Sequence, residues 1–205
     1  FPMYQIKDDH EPIVSRELWE AVQLELDRRE LFMKKHELTT MGQFTDERPF
    51  SHKVICGCCN HTYSRRTLTR SWGKIITWEC GQRYKEKGKR HCRESDILYE
   101  QELLDGFVTA WNKILSRRKT NMRKWERMLS SGNALERVRA KQFIEITDGM
   151  EPLAENDIDL VNRVFDHCIY YNTGDTEYHF LDGTIITVHT KSERNKSYFR
   201  RISKR

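Results

Sequence analysis

Between Ser15 and Leu31 apolar residues recur every three or four positions, so Trp19, Val22 and Leu26 share one face of a predicted helix. Ser15 can cap it, and Glu17 places a carboxylate near its positive end. Residues 1–14, with Tyr4, Ile6 and His10-Glu-Pro-Ile-Val14, read as extended. Periodicity then stops around Thr39–Gln43 and Asp46–Pro49, which marks residues 32–49 as a linker.

From Phe50 the pattern shortens to β-like runs, Lys53-Val-Ile-Cys56 and Lys74–Cys80, with a turn-prone Cys56-Gly-Cys-Cys-Asn60 between them. After residue 93 the spacing becomes helical again, with Ser95 or Asp96 as the cap. Leu104, Val108, Trp111, Leu115, Met122, Trp125 and Leu129 alternate at four and three, a heptad seam broken where Arg118 takes an apolar position. Ser130–Asn133 interrupts the helix, Ala134–Thr147 resumes it, and Asp148-Gly149 stops it, which predicts a coiled-coil-like antiparallel hairpin. A short helix over Asp157–Phe165 follows. Three strands come next: His167–Tyr171, Glu177–Leu181 and Thr184–Val188, with Asp182-Gly183 as a two-residue turn. The expected class is α+β: a small β lobe, a protruding helical hairpin and a short C-terminal β-meander.

The β lobe matters because of its cysteines. Cys56 and Cys59 are spaced so that one turn presents both sulfurs, and Cys80 and Cys92 each supply one more. Four thiolates of this kind make a closed tetrahedral site for one structural Zn2+, with no coordination position left for hydrolytic chemistry. Cys58 is the spare thiol, although His91 or His61 could replace a sulfur as ligand. Cys168 reads as a core residue of a strand. The lobe has too little apolar content to fold alone, so metal binding should supply its folding free energy. Removing the metal is expected to unfold residues 50–93 and spare the helices.

Charge is distributed unevenly around that site. Residues 51–93 hold eleven cations against Glu79 and Glu86, a balance of +9, and residues 191–205 hold seven against Glu193, a balance of +6. With a net charge of +5 the remainder is −10, so two basic segments flank an acidic helical region. Such segregation suits a polyanion, and the candidate contacts to double-stranded DNA are Arg65, Arg66, Arg70, Lys74, Arg83, Lys85, Lys87, Lys89, Arg90 and Arg93. Tyr63, Trp72, Trp78 and Tyr84 are interleaved with them and read as packing residues.

No apolar run approaches a membrane span, and neither a Gly-rich phosphate loop nor a nucleophile–base order stands out. Clustered cysteines that hold metal suit a reducing cytoplasm. The start at Phe1, without Met, points to a piece of a longer protein.

The order His10-Glu-Pro-Ile-Val-Ser-Arg-Glu-Leu-Trp-Glu-Ala-Val-Gln23, Pro49-Phe-Ser, Cys56-Gly-x-Cys59, Trp78-x-Cys80 and Lys89-x-x-Cys92 before a long helix resembles large serine recombinases. These are phage integrases and transposon resolvases with long C-terminal regions. The resemblance implies the end of a recombinase domain at 1–31, the linker, and a zinc-ribbon domain over 50–190. That domain comprises a zinc lobe at 50–93, a hairpin at 95–148 and a closing helix and strands at 157–190, with a basic tail at 191–205. It also implies recognition of attachment sites during integration or excision of a mobile element, with contacts to other protomers through the hairpin. The family's catalytic serine lies in a domain to which nothing here corresponds, so this chain is not expected to cut DNA itself. The alternative is a zinc-ribbon adaptor that binds protein through its hairpin.

Overall fold

The structure, a computed structural model, describes residues 13–38, 47–71, 73–84 and 91–191. Its first element, α1 (Arg16–Lys35), starts where expected: the Ser15 side chain accepts from Leu18 N. The helix runs past Leu31, and the residues first read as linker continue it to Lys35. The face it turns to the body is not the apolar one. Trp19, Val22 and Leu26 are about half exposed, while Ala21 is its one buried residue. Contact is made through charge instead: Glu17 pairs with Arg137 and Lys141, Glu25 with Arg139, and Arg28 with Asp166.

Among the described residues seven strands make two sheets. β1 (Val54–Cys56), β5 (Phe165–Tyr170), β6 (Asp175–Phe180) and β7 (Ile185–His189) form one, in that order. β2 (Tyr63–Arg70), β3 (Gly73–Cys80) and β4 (Leu98–Tyr99) form the other. β1 pairs parallel to β5, Val54 with Cys168 through Cys56 with Tyr170, and every other pair is antiparallel. The zinc lobe is therefore not a separate unit, because its first strand is an edge of the C-terminal sheet. The β6–β7 turn also differs by a residue. Phe180 N donates to Thr184 O and Gly183 N to Phe180 O, so Leu181, Asp182 and Gly183 form the loop, with Gly183 at φ +78. A three-residue hairpin of this kind needs the left-handed residue that glycine tolerates.

The long helix is two. α2 (Glu100–Ser116) gives way to α3 (Arg118–Ser131) at Arg117, the point where Arg118 interrupts the apolar seam. Arg118 leaves the seam to reach Thr147 Oγ1 and Asp148 Oδ1. Ser95 and Asp96 do not cap α2. Ser95 donates to Cys92 O, Asp96 accepts from Ile97 N, and two residues of β4 intervene before the helix. In α2 the buried stripe is Leu103, Phe107, Ala110, Trp111 and Ile114, one residue ahead of the predicted seam. The small residues Gly106 and Ala110 explain the shift: with no Cβ at 106 to meet Tyr178 and Thr190, the helix lies close on β6 and the end of β7, whereas a hydrophobic seam counts large side chains alone.

The α3–α4 (Ala134–Thr147) loop follows the sequence closely: Asn133 accepts from Glu136 N and the Glu136 carboxylate accepts from Asn133 N. The hairpin does not stand off the body as a coiled-coil arm. Trp125 and Phe143 meet as tilted rings 5.9 Å apart inside the common core, and the Trp125 indole donates to the buried Asp182. α5 (Ile158–Val164) is capped by Asp157. One aromatic core, with Phe50, Phe107, Trp111, Phe165, Tyr178 and Phe180 at its centre, joins both sheets to α2 and α4.

Candidate metal centre and nucleic-acid interface

Cys56 closes β1 and Cys59 sits in the tight turn after it. That turn is held by Asn60 N on Cys56 O, with Asn60 in the left-handed region at φ +61. Cys80 closes β3 and opens a second turn in which Arg83 N donates to Cys80 O. Cys92 is fixed by its own N–H on Gln82 O. Two strand ends and two turns thus bring the sulfurs of Cys56, Cys59, Cys80 and Cys92 within 4.8 Å of one another. Cys56 and Cys92 Sγ are 3.8 Å apart, and Cys59 and Cys80 Sγ 3.4 Å. Thiolates bound tetrahedrally at about 2.3 Å from zinc would lie about 3.8 Å apart, so the cluster fits the ion.

The electrostatics argue the same way. Cys56 is drawn down to about 4, chiefly by the hydrogen bond it accepts from the Cys80 thiol, which outweighs burial. The same bond holds Cys80 protonated, and burial pushes Cys59 up to about 12. Four sulfurs in one half-dry site cannot all ionise without a cation, and a divalent one resolves the conflict. The donor set leaves no open position, so the bound ion's role is structural.

The two histidines weighed as ligands stand outside the cluster. His61 Nδ1 lies 3.0 Å from Cys59 O and its Nε2 3.1 Å from Glu37, which puts it behind the ligand, where it steadies the turn. His36, which the sequence did not single out, does the same for Asn60, with Nδ1 2.7 Å from Asn60 O. Its signal was weak because it comes from the end of α1, twenty-four residues away. Cys58 is exposed and spare, and Cys168 is buried in β5.

The candidate DNA contacts separate into three groups. Arg66, Lys74 and Arg93 are exposed, the first two on the β2–β3 ribbon. Among the described residues Arg66 has only a long 3.7 Å contact, to Glu79. Arg65 and Arg83 have internal work. Arg65 forms a fork with both oxygens of Glu100, at 2.6 and 3.0 Å, and Arg83 donates to Ser95 O, tying the second cysteine turn to the chain after Cys92. The Arg70 side chain, Lys85, Lys87, Lys89 and Arg90 lie outside the described residues, as do Trp72 and the tail from residue 192. Lys191 is described, and it pairs with Asp96 at 2.8 Å, so the chain leaves β7 beside the zinc lobe. Tyr63 and Trp78 are core residues, as expected. Among the described residues no helix is long and apolar enough to cross a membrane.

Residues 49–112, from the strand before the first cysteine turn into α2, match the family described as recombinase zinc beta ribbon domain. That match supports a recombinase-family zinc ribbon over this stretch, with a role in recombination-related DNA binding. No curated protein and no solved structure matches the chain.

Proposed function

We propose that this chain is the DNA-binding C-terminal part of a large serine recombinase, recognising attachment sites when a mobile element is integrated or excised. The observation that carries the reading is the β2–β3 ribbon. It is an eight-residue antiparallel pair rooted in the four-cysteine cluster at Cys80, with Arg66 and Lys74 exposed along it, inside the stretch that matches a recombinase zinc ribbon. A two-stranded ribbon is narrow enough to enter the major groove, where exposed cations can hold phosphates and one can reach a base edge.

On this reading the labour divides by position. Zinc fixes the base of the ribbon, and Arg83 and Ser95 brace the turn beneath it. Arg66, Lys74 and Arg93 hold the duplex, and the cations at 85–90 and beyond 191 extend the contact. The reading gives the chain no strand-cleaving chemistry of its own. It places the protein in the cytoplasm, on DNA.

The adaptor reading is weaker. It needs large apolar side chains on the helical hairpin, and Trp111 and Trp125 are both fully buried in the protein's own core. For the same reason contact between protomers is not assigned to them.

Fluorescence anisotropy with a duplex, across a salt series, tests the proposal. Arg66→Ala, Lys74→Ala and Arg93→Ala should each weaken binding and each lower the slope of log affinity against log salt by about one. Affinity and slope unchanged in all three variants, with the fold intact, would remove this surface from the account.

A further inference from the structure

α1 meets the body through a charged seam, and that seam encloses a cleft. The cleft lies between α1, the residue before β1, α4 and the start of β5, and measures about 450 Å3. Glu25, Arg28, Arg29, Lys53, Arg139 and Asp166 line it: four cations and two carboxylates.

Those carboxylates are already engaged. Glu25 accepts from Arg28 Nε and Nη2, from Arg29 Nε and from Arg139 Nη2. Both oxygens of Asp166 accept from Arg28 Nη1, at 2.8 and 3.0 Å, and His167 Nδ1 lies 3.2 Å from one of them. The guanidiniums are not so fully engaged. Each offers five N–H donors, yet these bonds use one from Arg29 and one from Arg139. Arg139 is only 15% exposed, so bulk water reaches its other donors poorly, and the cleft is the space beside them.

The result is a half-buried excess of positive charge. Burial brings Lys53 down to about 8; Asp166 opposes the fall, and Arg29 and Arg28 deepen it. Burial likewise lowers Arg139. Lys53 Nζ also lies 3.5 Å from Phe165 O, but four cations against two carboxylates leave the cleft lining net positive, and an anion held there would offset that excess.

We propose that this cleft is an anion subsite that takes a phosphate group, bound by Arg29, Lys53 and Arg139. The forked guanidiniums suit tetrahedral oxygens, and the volume holds one phosphate with several waters at about 30 Å3 each. The nearest source of such a group, on the function proposed above, is the backbone of bound DNA; the subsite itself rests on the cleft alone. A phosphate there would also bridge α1, α4 and β1, fixing a helix that otherwise docks through ion pairs.

The test uses the zinc-loaded 205-residue chain and inorganic phosphate, followed by phosphorus NMR line broadening in chloride of matched ionic strength. Saturable broadening is expected, weakened about tenfold by Arg29→Gln and by Lys53→Met, each removing one charge-assisted contact. Arg139→Lys, which keeps the charge and loses the fork, should weaken it too. Circular dichroism confirms that each variant is folded. A duplex titration then separates the sources. If DNA supplies the phosphate, the Arg29→Gln/Lys53→Met pair lowers the salt slope by about one to two. If phosphate binding falls and the slope does not, the ligand is a free phosphate compound. Absence of saturable broadening in the folded wild type overturns the subsite, whether or not the chain binds DNA.

Discussion

Gly57 lies against the ring of Tyr171: a Cβ at position 57 would stand 2.4 Å from Tyr171 Cδ1 and 3.0 Å from Cγ. The same glycine donates its N–H to Tyr170 O at 2.9 Å. The turn between the first two cysteines is thus bolted to the end of β5, and only a residue without a side chain fits there. Gly57→Ala should cost about 1–3 kcal/mol and loosen zinc binding, because the clash falls near the fixed root of a ring. Tyr171→Ala in the same chain should recover part of the loss. Thermal melts with a competing chelator read both effects, and an unchanged melt in the single variant would contradict the contact.

Gly106 plays a similar part in α2. A Cβ there would meet Tyr178 Oη at 2.2 Å and Thr190 Cγ2 at 2.5 Å, and the Tyr178 hydroxyl donates to Leu103 O at 2.8 Å. Alanine ordinarily favours a helix over glycine by up to about 1 kcal/mol, so a loss on Gly106→Ala isolates the packing. The expected loss is about 1–3 kcal/mol in urea unfolding. Tyr178→Phe should cost about 1–2 kcal/mol by leaving the carbonyl short of a donor.

Asp166 links α1 to the sheet and should make that link sensitive to acid. Burial alone would raise its pKa, yet the hydrogen bond from His167 and the Arg28 charge hold it at about 2 against an ordinary 3.8. A carboxyl lowered on folding stabilises the protein above the unfolded value and stops doing so as pH falls through the folded one. At about 1.4 kcal/mol per unit the contribution is about 2 kcal/mol at neutral pH, fading between about pH 4 and 2. The stability gap between wild type and Asp166→Asn should be near that value at pH 7 and vanish below pH 2. A gap that does not change with pH would contradict the pairing.

Zinc removal should be felt well beyond the ribbon. Cys56, Cys80 and Cys92 belong to the same buried cluster as Trp111, Trp125 and Phe143, and β1 is hydrogen-bonded to β5. Chelation should therefore lower the melting of the helical signal and of tryptophan fluorescence together. Helices that melt unchanged in the zinc-free protein would restore the picture of an independent lobe.

The contrast between these expectations shows what the sequence holds. Local signals are legible: Ser15 caps α1, the break at Ser130–Asn133 separates α3 from α4, Asp157 opens α5, and the four cysteines announce their cluster through spacing alone. What failed was long-range. The parallel pairing of β1 with β5 spans more than a hundred residues and leaves no mark in the short run Val54–Cys56. The buried stripe of α2 was missed because it includes Gly106 and Ala110, which the sheet selects for smallness and a hydrophobic pattern overlooks. The face of α1 was misread because charge, not apolar area, docks it: Trp19 is 57% exposed while Arg139 is largely buried under Glu25. For the same reason two of the cations assigned to DNA, Arg65 and Arg83, are held by partners that no spacing rule could name.

The central claim is that this zinc ribbon reads duplex DNA. Selection of bound duplexes from a random pool, with zinc-loaded and zinc-stripped protein side by side, tests it most directly. The account predicts a recovered consensus half-site with the loaded protein, lost on chelation and weakened by Arg66→Ala together with Lys74→Ala. Recovery of no consensus by fully zinc-loaded, folded protein would contradict site recognition.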